Sequence, residues 1–230
     1  MKKITKLMLG IFAFPGIYLA VVGVWASLSV SSLLPEQNTE GEKVLLTQEQ
    51  VDILLKIEDP TFYDHAGIDL SSGQGLTTIT SALARDIFLS GKTLTGLSGA
   101  FQRFYRTVFD CCKRVDFGRD VMAVVLNKHL TKNQQLQLFI TSVYMGHYSG
   151  KGVIGLLAAA QVYFHKDISA LSNDEFIALV AMIKMPNYYH PVKNKEQLDS
   201  RVATVKNILA GGCKPDGWFD TEYKHCNGNL

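Results

Sequence analysis

The stretch Glu58-Asp59-Pro60-Thr61-Phe62-Tyr63-Asp64-His65-Ala66-Gly67 packs three acids, two aromatics, a histidine and a glycine into ten residues. Pro60 ends the apolar run before it, so Glu58 and Asp59 stand at a helix C-terminus. The dipole there disfavours an anion, and aromatic neighbours exclude water. Both effects raise a carboxyl pKa toward that of a working general base. The plainer reading of the same residues is a polar helix end closed by a proline, because perturbed carboxylates are often structural. Asp59 reads as a residue that orients Glu58 or holds backbone amides, His65 as a hydrogen-bonding residue rather than a base, and Gly67 as a turn requirement. Isolated Asp59 or Asp64 could assist a divalent cation, but no metal-ligand spacing demands one.

The helix that must deliver Glu58 starts at Thr47-Gln48-Glu49-Gln50, a capping-box pattern, and runs through Val51, Leu54, Leu55 and Ile57. After a Gly73-Gln74-Gly75 turn, Thr77, Thr78 and Thr80 open a second helical run to Leu89. A third, Phe101 to Val115, interleaves aromatics with Arg103, Arg106, Lys113 and Arg114. It reads either as a core-facing helix or as one lying on anionic headgroups. Further helices are expected over Val121–Leu130, from a second capping-box pattern at Thr131-Lys132-Asn133-Gln134 to Tyr144, over Leu156–Phe164, from a third at Ser172-Asn173-Asp174-Glu175 to Lys184, and over Gln197–Ala210. Gly146, Gly150, Gly152 and Gly155 read as a long loop, and Pro186 to Pro191 as an extended segment. With no alternating strand pattern of useful length, the class is all-α.

Lys2, Lys3 and Lys6 precede an uncharged run from Leu7 to Leu34, longer than the roughly 20 residues that a bilayer core needs. Ala26-Ser27-Leu28-Ser29 offers only weak cleavage options, so an uncleaved anchor is favoured. The positive-inside rule puts the lysines in the cytoplasm and the rest outside. The expected organisation is a stub and transmembrane anchor over 1–34, a linker over 35–46, a helical domain over 47–210 and a tail over 211–230. A net charge of +2 without a dense basic stripe argues against a nucleic-acid partner. The four cysteines fit no zinc pattern. In an exported domain Cys213 and Cys226 could close a C-terminal loop through a disulfide, while Cys111 and Cys112 read as a helix face.

In this order the motifs resemble the peptidoglycan glycosyltransferases of glycosyltransferase family 51. Glu58, Asp59, Phe62, His65 and Gly67 match every fixed position of its first motif, Glu-Asp-x-x-Phe-x-x-His-x-Gly. Gly75-Leu76-Thr77-Thr78-Ile79-Thr80-Ser81-Ala82 keeps the first half of the second motif and lacks its two glutamines. Arg85 stands where the family usually has a lysine. Leu130-Thr131-Lys132, Ala158-Ala159-Ala160-Gln161 with Tyr163-Phe164, and Lys184-Met185-Pro186 with Tyr189 and Pro191 resemble later motifs. Arg201 and Val205 resemble a remnant of the fifth. The third motif's glutamate, counted back from Lys132, falls on Arg119. Asp120 is one position away, and Asp116 is expected on the same helical face.

The resemblance implies a lysozyme-like helical domain with a membrane-associated jaw lobe, behind an N-terminal transmembrane helix. It implies polymerisation of lipid II onto a nascent glycan strand with loss of undecaprenyl pyrophosphate. Glu58 would be the general base, with Asp120 or Asp116 as second carboxylate. Asp59, Phe62, His65, Gly67, Thr77, Thr78, Thr80, Arg85, Lys132 and Arg201 would line the substrate site, the threonines offering hydroxyls and free N–H groups to phosphate. No cofactor is required, inner-membrane lipid and cell-wall synthesis proteins are the expected partners, and the placement is a bacterial inner membrane with the domain on its outer face. Two other readings stay open: a catalytically weakened relative that binds lipid II or a cell-wall partner, and a lysozyme-like hydrolase, which would need two carboxylates at a suitable separation.

Overall fold

The structure, a computed structural model, describes residues 2–35, 45–69, 78–109, 116–214, 223 and 226, with backbone only for 2–14 and 109. The Gly73–Gly75 turn, Thr77, Cys111, Cys112, Lys113, Arg114, most of the linker and most of the tail fall outside the described residues. The chain divides into two compact units, each built from separated stretches: 1–38, 66–68 and 80–131 form the first, and 39–65, 69–79 and 132–230 the second.

The first unit holds the long helix α1 (Lys2–Leu33), most of α3 (Ile79–Ala84), a π-helical turn (Arg85–Ser90), α4 (Gly96–Phe109) and α5 (Phe117–His129). Pro15–Leu33 is long and apolar enough to cross a membrane. One stripe of it (Val22, Trp25, Ala26, Val30) is buried in the unit, where α1 packs on α5. The stripe Ile17, Val21, Val24 and Leu28 stays exposed. The Trp25 ring lies 5.8 Å from Phe88 and 5.1 Å from Phe101, and its indole N–H donates to Ser98 O at 3.1 Å. A buried indole needs such a partner, so Trp25 ties α1 to α4 by packing and by direction. On α4, Leu97, Phe104 and Val108 remain exposed.

The second unit holds α2 (Gln48–Glu58), α6 (Lys132–Ser142), α7 (Leu156–Phe164), α8 (Asn173–Ile183) and α9 (Lys195–Leu209). Of the three expected capping boxes, those at Thr47 and Ser172 form. Thr47 and Gln50 exchange bonds at the start of α2, as do Ser172 and Glu175 at the start of α8, satisfying N–H groups that the first turn leaves unpaired. Packing of α2 on α8 and α9 sets where the end of α2 points.

Two expectations change. The glycine-rich stretch is an antiparallel hairpin, β1 (Tyr144–Tyr148) with β2 (Lys151–Ile154). Tyr148 pairs with Lys151, leaving Ser149 (φ 50°) and Gly150 (φ 79°) as a two-residue turn with both φ positive, the geometry that matches strand twist. The segment from Pro186 is turned rather than extended: the amides of Tyr188 and Tyr189 both donate to Met185 O at 2.9 Å. His190 is buried and accepts from the amides of Val192 and Lys193 through Nδ1. Nε2 therefore carries the proton and donates to His147 O at 3.1 Å.

Candidate active site

Glu58 is the last residue of α2. The amide of Asp59 still donates to Leu55 O at 2.9 Å, and the chain then turns away at Pro60. The residue as a whole is half-buried. Burial pushes the pKa of its carboxyl up from 4.5 to about 7. The positive charges of Arg201 and Lys184 pull it down, and neighbouring Asp59 adds to the rise, but desolvation is the largest effect. Arg201 is buried on α9, and its Nε has no hydrogen-bond partner among the described residues. Lys184 directly follows α8. Three elements thus converge on one carboxyl.

Asp59 is fully buried and has a different task. Both carboxyl oxygens accept from His65 Nε2, at 3.0 and 3.1 Å, and Oδ2 also accepts the Ile79 amide at 2.8 Å. A carboxylate only accepts, so the His65 proton sits on Nε2. Asp59 therefore holds the loop through His65 and the first amide of α3 together, and His65 is a hydrogen-bonding residue as expected. The threonine-rich start of this helix was expected to offer free N–H groups and hydroxyls to phosphate; the Ile79 amide is one of those N–H groups. It is instead taken by Asp59, and Thr78 and Thr80 are buried.

Phe62 is 1% exposed, and Lys132, at the start of α6, places Nζ 4.6 Å from its ring centroid. That ammonium has no hydrogen-bond partner among the described residues, and burial lowers its pKa against the opposing pull of Asp59. A cation held by a ring face rather than by oxygens keeps its donors uncommitted. Gly67 has φ 111°, and a Cβ there would lie 2.7 Å from Ala123 O, so both the backbone and the space require glycine.

The third-motif region lies in the other unit. Asp116 is not on the helical face of residue 119. It is the N-cap of α5, accepting from the Arg119 amide at 3.1 Å and from the Tyr105 hydroxyl at 2.5 Å, while Tyr105 accepts from Tyr18 of α1 at 3.2 Å. Burial, followed by the bond to Asp116, holds the Tyr105 phenol well above its usual value. Asp116 is thus committed to structure. Asp120 is different. Burial pushes its carboxyl up from 3.8 to about 6 against the pull of Arg119, whose Nη2 is 3.9 Å from Oδ1, and Oδ1 has no hydrogen-bond partner among the described residues. Arg85 opens the π-helical turn with an exposed side chain paired to Asp86 at 3.1 Å. Such turns recur at functional sites. Among the described residues no group of three or more His, Cys, Asp or Glu is placed to hold a metal ion.

Residues 36–210 match the family described as Transglycosylase, most of the chain and every element of the Glu58 site. The chain belongs to the transglycosylase family. It is 31% identical over 179 residues to penicillin-binding protein 1F of Bacillus subtilis (strain 168), covering 74% of this chain and 23% of that protein. It is 30% identical over 185 residues to penicillin-binding protein 1A of Escherichia coli (strain K12), covering 74% and 19%. Penicillin-binding protein 1B of Vibrio cholerae is 27% identical over 193 residues, covering 76% and 22%. The chain therefore spans about a fifth of the length of these relatives. Its helical class agrees with the family, as the sequence led one to expect. Lys184 is the charge near Glu58 that the candidate set drawn from sequence left out. Its Lys184-x-Pro186 context was the available signal.

Proposed function

We propose that this transglycosylase is a peptidoglycan glycosyltransferase that polymerises lipid II, with Glu58 as general base. The observation that carries the reading is a carboxyl poised near pH 7 at the end of α2, beside Arg201 and Lys184. A base works best when its pKa lies near the working pH. The acceptor's sugar 4-hydroxyl attacks the anomeric carbon of the lipid-linked donor, and Glu58 takes the hydroxyl proton. The bond from that carbon to the pyrophosphate breaks, and undecaprenyl pyrophosphate leaves with the electron pair. Lys132 and Arg201 are the cations proposed to meet its charge, since stabilising developing charge is often the largest catalytic contribution. Asp59, His65 and Gly67 hold the loop in shape, and Phe62 seats Lys132. This acid–base chemistry calls for no cofactor. α1 is proposed as a single-pass anchor in a bacterial inner membrane, with the domain on the outer face near nascent glycan and other cell-wall synthesis proteins.

Purified full chain given lipid II in detergent should yield glycan polymer, and Glu58→Gln should abolish it. A second reading is favoured by Arg119 standing in the third motif's glutamate position: a weakened relative that binds lipid II without joining it. Binding of lipid II without polymer from the wild type would establish that reading in place of the first.

A further inference from the structure

The family match ends at residue 210, and Cys213, Tyr223 and Cys226 beyond it lie in or against one buried cluster with Ile57, the residue just before the base. The Gly211 amide donates to Ile208 O and the Gly212 amide to Asn207 O, each at 3.0 Å, closing α9. Cys213 then bonds to Cys226, 13 positions on. Both cysteines are buried with Ile208, and Ile57 and Tyr223 pack against that cluster. Lys56 Nζ donates to Leu209 O at 2.8 Å. The two residues that precede Glu58 in α2 are therefore both held by the end of α9 and the tail. Arg201 lies on α9 in register with Val205 and Ile208, one buried stripe at helical spacing.

We propose that the Cys213–Cys226 disulfide is a positioning element for the general base: with Ile208 it forms the buried cluster against which Ile57 packs, fixing the last turn of α2, and Glu58 with it, against Arg201. This rests on the reading of Glu58 as the base. The physical need is plain, because a helix's last turn frays and its carbonyls lack helical partners. A covalent ring restricts that freedom, and displacement of a catalytic group by about 1 Å can cost roughly 100-fold in rate. The charges facing Glu58 are Arg201 from α9, Lys184 at the end of α8 and its neighbour Asp59. The Lys206–Asp174 pair at 2.8 Å ties α8 to α9 away from the carboxyl. A structural disulfide also requires an oxidising compartment, in keeping with a domain on the outer face.

The test compares the oxidised full chain with the Cys213→Ala/Cys226→Ala variant and with Lys56→Met, which keeps the disulfide. The pH–rate profile of lipid II polymerisation is followed alongside the melting temperature. Loosening the last turn admits water to Glu58 and lets its pKa fall. The acid limb should then move down by about half a pH unit or more, and kcat should drop several-fold with KM little changed. An unchanged profile with a lower melting temperature would make the tail a stability clip only and overturn the proposal. If the wild type forms no polymer, NMR titration of the Glu58 carboxyl, assigned against Glu58→Gln, decides it. A midpoint that differs between the oxidised and cysteine-free proteins supports the positioning role, and identical midpoints refute it. Should the double variant fail to fold, the same two measurements on the folded wild-type chain before and after reduction of the disulfide decide the matter.

Discussion

Replacing Glu58 by glutamine should stabilise the protein in a way that grows with pH. Burial raises the carboxyl from 4.5 to about 7, so the protonated form fits the folded chain better. A folded pKa above the unfolded value gives stability that is fully present below about pH 4.5 and is lost as pH rises through about 7. A shift of about 2.5 units at roughly 1.4 kcal/mol each is about 3.5 kcal/mol in full. The part that falls between pH 5 and pH 8.5, trimmed for the residue's contact with solvent, is roughly 2 kcal/mol. The pull of Arg201 and Lys184 on the ionised carboxyl is already contained in the value of about 7, so it needs no separate allowance. For a chain of this size the difference corresponds to about 4–8 °C in melting temperature. Thermal melts of wild type and Glu58→Gln in one detergent, at pH 5 and pH 8.5, measure it. A gap between the two proteins that stays constant with pH, or shrinks as pH rises, would refute the claim that desolvation governs this carboxyl. The reading of Glu58 as a base tuned by burial would fall with it.

Lys132→Met should remove most polymerising activity, at least about tenfold, because the ammonium over Phe62 is lost. Melts should show it neutral or stabilising by about 1 kcal/mol, since a buried charge without hydrogen bonds is costly to keep. Gly67→Ala should cost about 2 kcal/mol or more, since its φ of 111° and the 2.7 Å approach to Ala123 O both oppose a Cβ. Chemical denaturation would measure that loss. Asp116→Ala and Tyr105→Phe should each destabilise, and a double-mutant cycle should give a coupling of about 1–2 kcal/mol. Additive effects would deny the hydrogen bond its role in holding α4 to α5.

Local signals were the ones legible in the sequence. Thr47 with Gln50 and Ser172 with Glu175 act within one turn of chain, and both boxes form as read. The hairpin escaped notice because Tyr144–Tyr148 and Lys151–Ile154 carry glycines and little alternation. The strand signal there is the Ser149-Gly150 turn, which a glycine-rich stretch disguises as a loop. The turns from Pro186 depend on Met185 O and on Asn194, whose side-chain amide donates to Tyr188 O at 3.0 Å. These contacts do not show in the Pro-x-x-x-x-Pro spacing. At the site, the end of α2 announced Glu58, but no spacing showed that Asp59 would reach an amide 20 residues on, at Ile79. Asp116 looked like a spare carboxylate because its claim on Tyr105 exists only once α4 and α5 pack.

The pairing of α1 with α5 sets an order of events during synthesis. Val22, Ala26 and Val30 are covered in the folded unit largely by a helix that begins at Phe117, more than eighty residues later in the chain. At about 5–20 residues per second, a ribosome takes roughly 4–17 s to supply it. Through that interval the proposed anchor sits in the bilayer with its protein-facing stripe bare. Small side chains there, with Ser29 among them, make that waiting surface tolerable to lipid yet ready for a close partner. The first helix made is thus a half-finished surface, and swapping it for a generic hydrophobic span would keep the address while removing the template on which the first unit closes.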